Sequence, residues 1–128
     1  MKTPLAAVLL ALTLALGATG AAAQPSNAEI WEKIGRTKID GIRFLVGEKK
    51  FAEAREEIVD ILRNGSFSAE IRAGAIMQRG HIGMRTSDYK AALKDYQIVQ
   101  QMPGVSAELK KQAQTAAEFA DSFVKLRQ

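Results

Sequence analysis

Phe51-Ala-Glu-Ala-Arg-Glu-Glu-Ile58 and Tyr89-Lys-Ala-Ala-Leu-Lys-Asp-Tyr96 lie 38 residues apart and superimpose aromatic on aromatic, Ala54 on Ala92, and Ile58 on Tyr96. Both read as amphipathic helices. Phe51, Ala54, Ile58, Ile61 and Leu62 recur at three and four residues, and so do Tyr89, Ala92, Leu93, Tyr96 and Val99. Each stretch follows another helical pattern and ends on a turn signal, Asn64-Gly65 in one case and Pro103-Gly104 in the other. The spacing falls in the range of paired-helix repeats.

Working outward, Ile30, Trp31, Ile34, Ile39, Ile42, Leu45 and Val46 predict a first helix from about Asn27 to Val46. Ser26 or Asn27 serves as its N-cap, and Gly47 is the expected C-cap. Gly35 and Gly41 each weaken this helix by about 1 kcal/mol relative to Ala, so they mark a close contact or a kink. A third helix opens on Ser66 or Ser68 and carries Ile71, Ala75, Ile76, Gly80, Ile82 and Gly83. Thr86-Ser87-Asp88 breaks it and caps a fourth, Tyr89 to Met102. Ser106 caps a fifth, with Leu109, Ala113, Ala116, Ala117, Phe119, Ala120, Phe123 and Leu126. No strand-like alternation appears, and connections this short return each helix antiparallel to the last. The expectation is an all-α domain over residues 24–128, two hairpins and a last helix.

The segment from Ala69 to Gly104 resembles a tetratricopeptide repeat. Gly80 looks like that family's small residue on the first helix, Tyr89 like the aromatic opening the second, Ala92 like the small crossing residue, Tyr96 like the bulky residue one turn on, and Pro103 like the closing proline. The physical demand is that two helices approach to 8–10 Å only where the crossing point is small, with a ring filling the groove beside it. In the earlier hairpin Phe51, Ala54 and Ile58 carry the second-helix half of the pattern. The resemblance implies a short right-handed solenoid of antiparallel hairpins with a C-terminal capping helix. Two departures stand out: Gly83 where the family prefers an aromatic, and Arg79 where it prefers an apolar residue. The span also runs about four residues beyond the standard repeat, and a generic helical bundle remains the competing architecture.

The N-terminus reads as an export signal: basic Lys2, an uncharged stretch from Leu5 to Ala23, and small residues Ala21-Ala22-Ala23. Cleavage is expected after Ala23, which places the remaining 105 residues in the periplasm or outside the cell; an uncleaved membrane anchor is the alternative. No Cys follows the apolar segment to carry a lipid. Without Lys2 the remainder holds 17 Lys and Arg against 14 Asp and Glu, a net of +3. These charges alternate rather than cluster, which points away from nucleic acid despite a pI near 9.5. Zero cysteines remove disulfide staples, thiol chemistry and thiolate metal sites together.

In the resembled fold the first helix of each hairpin lines the concave face. That implies partner-binding candidates Arg36, Ile39, Asp40 and Arg43 from the first helix, and Met77, Gln78, His81, Met84 and Arg85 from the third, bordered by Lys111 and Glu118. Arg can grip a carboxylate with two donors, and Met adapts to varied apolar side chains. The competing reading makes Met77 and Met84 core and the arginines a solvated face. His81 is the single histidine, without companions to form a metal site. Trp31 is expected to pack as a lid on the hairpin. The adjacent Glu56 and Glu57 point apart on a helix, and Glu53 and Glu57 share an exposed face with Lys49 and Lys50, a salt-bridged surface pattern rather than a catalytic pair. The functional expectation is an exported, non-catalytic adaptor for a protein or peptide, with no cofactor, metal or nucleic acid. A structural subunit of an envelope assembly acting through self-association is the alternative; a small enzyme ranks behind both.

Overall fold

The computed structural model describes residues 24–128. The leader expected over residues 1–23, with its cleavage after Ala23, lies outside the described residues. Five helices follow one another: α1 Asn27–Gly47, α2 Phe51–Arg63, α3 Ala69–Arg85, α4 Tyr89–Gln101 and α5 Ala107–Leu126. No strand occurs among the described residues.

The capping residues explain where the helices start. Of the alternatives left by the sequence, Ser26 accepts from the Glu29 amide at 3.2 Å and Ser68 from the Ile71 amide at 3.2 Å. Asp88 and Ser106 do the same for α4 and α5, accepting from Ala91 and Leu109. Lys50, ahead of α2, offers no side-chain cap.

The α1–α2 and α3–α4 connections close on matching bonds. Lys50 donates its amide to Leu45 and Asp88 donates to Gly83, both at 2.8 Å. Lys49 donates to Val46 and Ser87 to Met84. The residue in the left-handed region is Lys49 in one turn (φ 61°) and Ser87 in the other (φ 64°). Gly47, expected to be the C-cap, is instead the last helical residue, because the chain reverses two positions later.

Neighbouring helices α2 and α3, α3 and α4, and α4 and α5 pack on one another, and α3 also touches α5. Ile39, Ile42 and Val46 of α1, Ala54, Ile58 and Ile61 of α2, Phe67, and Ile71, Ala75 and Ile82 of α3 form one buried cluster. Trp31 leans on it, its ring edge-on to Phe67 at 5.3 Å. Ala73, Ile76 and Met77 of α3, Ala92, Tyr96 and Val99 of α4, and Ala113, Ala117 and Ala120 of α5 form a second. Each buried Ile contributes on the order of 1.5–3 kcal/mol through the water it sheds.

Helix α3 is therefore the shared wall between the two clusters and is apolar on opposite sides, as a helix buried on both faces must be. Its small residues admit close neighbours. A Cβ on Gly80 would lie 2.5 Å from Cε1 of Tyr96, and one on Gly83 would lie 3.1 Å from the Ala92 Cβ. Ala54 and Ala92 are both fully buried. The Gly83 that departs from the resembled pattern is thus a second point of close α3–α4 approach.

Candidate functional site

Four of the predicted partner-binding residues converge, Ile39 among them. Arg36, Asp40 and Arg43 of α1 line a shallow cavity of about 310 Å³ with Ile39, Glu32, Glu70, Ile71, Gly74 and Leu109. Its floor is apolar and its rim charged. The room comes from Gly74, where a Cβ would meet nothing closer than Ile39 at 3.5 Å.

The rim charges are paired with one another. Arg36 lies 3.5 Å from Glu32, and Arg43 lies 3.4 Å from Asp40. Glu32 also accepts from the Ser68 hydroxyl at 2.9 Å, while Glu70 accepts from both the amide and hydroxyl of Ser106 at 2.8 Å each. These carboxylates hold the starts of α3 and α5 in place. Both arginines remain well exposed, at 74% and 64% of the side chain, so a ligand carboxylate can compete for them at small cost.

The α3 candidates are placed differently. Met77 and Gln78 are buried, at 5% and 7% exposure, because α3 is walled on two sides; they do not offer a binding surface. Met84 is half-buried against the second cluster. The His81 Nδ1 and Tyr96 hydroxyl are 2.7 Å apart. A phenol O–H and an imidazole lone pair satisfy each other there when the ring is neutral. Burial, followed by the nearby positive charge of Arg43, lowers the His81 pKa and favours that neutral form. Burial also pushes the Tyr96 phenol up to about 12, with Asp95 adding to the shift. Arg85 turns away, its guanidinium 6.0 Å from the Phe51 ring centroid.

On α5, Lys111, Gln112, Thr115, Ala116 and Phe119 surround an open, largely apolar hollow of about 680 Å³, with Phe119 60% exposed. Glu118 is exposed and accepts from the Gln114 amide nitrogen at 3.4 Å. The repeat-packing candidates Phe51, Ala54, Ile58, Gly80, Ala92 and Tyr96 lie in the packing between helices, whereas Tyr89 stands outside both clusters and stacks on Phe123 of α5 at 4.7 Å.

No family model, curated protein or solved structure matches this chain.

A feature the sequence did not disclose is the ion pair between Arg79 of α3 and Asp95 of α4. Arg79 donates from Nε and an η nitrogen to the two carboxylate oxygens, at 3.0 and 2.8 Å. This two-point grip on Asp95 raises the Arg79 pKa. Arg79 stood out in sequence as a charge where an apolar residue belonged, but its partner lies 16 residues away on another helix. Together with Arg55, Val59, Lys94 and Ile98 the pair lines a second cavity of about 510 Å³ between α2 and α4.

Among the described residues, no three His, Cys, Asp or Glu side chains gather as a metal site, and no helix is long and apolar enough to cross a membrane.

Proposed function

We propose that this chain is an exported adaptor built as a short tetratricopeptide-like solenoid, which holds a peptide or protein segment on the face shared by α1, α3 and α5. The observation that carries the proposal is the 38-residue recurrence of structure. The left-handed turn residue recurs at Lys49 and Ser87, and the capping serine at Ser68 and Ser106. The carboxylate that holds each serine recurs at Glu32 and Glu70. A chain that repeats a hairpin with its links stacks the hairpins in one direction and presents equivalent helices along one face.

Arg36 and Arg43 mark one end of that face and Ala116 and Phe119 the other. Such a surface recognises by charge and apolar contact rather than by bond making, so the reading is non-catalytic and needs no cofactor. The export-signal pattern in the sequence of residues 1–23 supports an address in the periplasm or outside the cell.

Capture from an envelope extract tests the proposal. Immobilised protein should retain a partner that is lost on Arg36→Glu/Arg43→Glu and kept on Arg55→Glu, a substitution on α2. Equal retention by all three proteins, or retention by none, would refute the adaptor reading.

A further inference from the structure

We propose that two copies of this chain associate through the outer stripe of α1, crossing antiparallel at Gly41 with each Phe44 seated against the other copy. The idea concerns a different face from the adaptor groove and does not depend on it.

Phe44 is 63% exposed. Thirty-eight residues further on stands Ile82, and 38 beyond that Ala120, both fully buried. Ile82 belongs to the cluster that contains α2, and Ala120 to the cluster that contains α4. At each later position, then, the helix before it in the chain covers an apolar side chain. Thr37 stands in the same relation to Ala75 and Ala113, again fully buried. On α1 the corresponding face is exposed, so Phe44 is a core-type residue that no helix covers among the described residues.

A second α1 supplies that helix. Thr37, Gly41 and Phe44 recur at four and three residues, with Ile34 (38% exposed) one turn earlier, so they share a stripe opposite the buried Gly35, Ile39, Ile42 and Val46. A Cβ at Gly41 would meet nothing within 4 Å. The stripe therefore carries both a hollow and a ring, one turn apart. A two-fold axis brings each patch onto its own copy, so a surface holding both parts of a fit is complementary to itself. This is the arrangement that α3 and α4 use inside the chain, where Gly80 receives the Tyr96 ring.

Charge selects the antiparallel direction. Lys33 lies eight residues before Gly41 and Glu48 seven after it, both exposed and neither in an ion pair among the described residues. Crossing antiparallel at Gly41 sets each Lys33 near the other copy's Glu48. A parallel crossing would oppose like charges at both ends.

The test is sedimentation equilibrium on protein purified after expression of the full chain. A concentration-dependent monomer–dimer equilibrium is expected, and Phe44→Glu should raise its dissociation constant about 100-fold or more. Gly41→Leu should abolish dimers while leaving the helical content and melting of the monomer intact, since the side chain enters open space. Lys33→Glu should weaken the dimer, and Lys33→Glu/Glu48→Lys should restore it. In this cysteine-free chain, Gly41→Cys should oxidise to a disulfide-linked dimer, whereas Lys90→Cys on α4 should not. A species that sediments as a monomer at every concentration overturns the proposal and leaves the face to a foreign helix. A dimer indifferent to both Phe44→Glu and Gly41→Leu overturns it too.

Discussion

The two hairpins fill the same place in two different ways. In α1–α2 the equivalent positions hold Ile42 and Ile58, 0% and 1% exposed; in α3–α4 they hold Gly80 and Tyr96, the latter 1% exposed. One pair divides the space between two medium side chains. The other gives nothing from one helix and a large ring from its neighbour. Interiors pack to near-crystalline density, so the combined volume is constrained more tightly than either residue. The cross-helix charges differ as well. Asp95 is gripped by Arg79 with two hydrogen bonds and is nearly buried, whereas its counterpart Glu57 meets Lys38 at 3.8 Å on the surface. A hairpin with the same path can thus be held by aliphatic packing or by a ring and a two-point ion pair.

The sharpest way to break this comparison is to exchange its terms. Ile42→Gly empties a fully buried site and adds a helix-interior glycine, and should cost about 3–5 kcal/mol in denaturant unfolding. Adding Ile58→Tyr should recover part of that loss. If the double variant is no better than the single one, the two pairs are not equivalent. Gly80→Ile is the converse change. It drives a side chain into the Tyr96 ring and should cost about 1–3 kcal/mol, partly relieved by Tyr96→Ile. A melting temperature equal to wild type would show that Gly80 and Tyr96 do not share the contact.

The ion pairs come next. Arg79→Met leaves Asp95 without its partner and should cost about 1–2 kcal/mol, a figure reduced because the Arg79 side chain is 40% exposed. Lys38→Met, at the looser and exposed pair, should cost less than about 0.5 kcal/mol. Equal losses would erase the distinction between the hairpins.

The turns should respond alike. Lys49→Gly and Ser87→Gly each relieve a left-handed residue and should each stabilise by about 0.5–1 kcal/mol. Unequal signs would mean that the two turns are matched in form alone.

The smallest effect involves protons. His81 has its folded pKa lowered from the ordinary value of 6.5 by burial and by Arg43, so the folded state resists its protonation. Stability is then complete above the ordinary value and declines as pH falls through it toward the lowered folded value. Melting curves of wild type and His81→Gln should diverge in that window, with the variant showing the flatter pH dependence. Position 43 of the first hairpin, which corresponds to His81, carries an arginine and contributes no such slope.

Most helix boundaries were legible to within a residue or so, because hydroxyl or carboxylate caps stand before most helices and Asn-Gly or Pro-Gly follows two; the start of α3 stayed open between Ser66 and Ser68, and no stop signal marks the end of α5. The close approach at Gly80 was legible as well, since a glycine inside a helix that a large ring accompanies asks for a reason. The double burial of α3 was not. Met77 and Gln78 look like one exposed face of a helix in sequence, yet both are buried, Met77 within the cluster that α3 shares with α4 and α5. The left-handed residues were hidden because neither Lys49 nor Ser87 is a glycine. Of the candidate site, the α1 share was readable from a single helix's register: Arg36, Asp40 and Arg43 recur at four and three residues. Arg79 and Asp95 meet through the α3–α4 crossing, which local periodicity does not encode.

The carboxylates of Glu32 and Glu70 have a consequence for the order in which this molecule can be made. Each grips the serine at the threshold of the odd-numbered helix that follows, so α1 must be in place to anchor the beginning of α3, and α3 to anchor that of α5. A nascent chain leaves the ribosome with these anchors in the sequence of their use, every segment arriving after the scaffold on which it is registered.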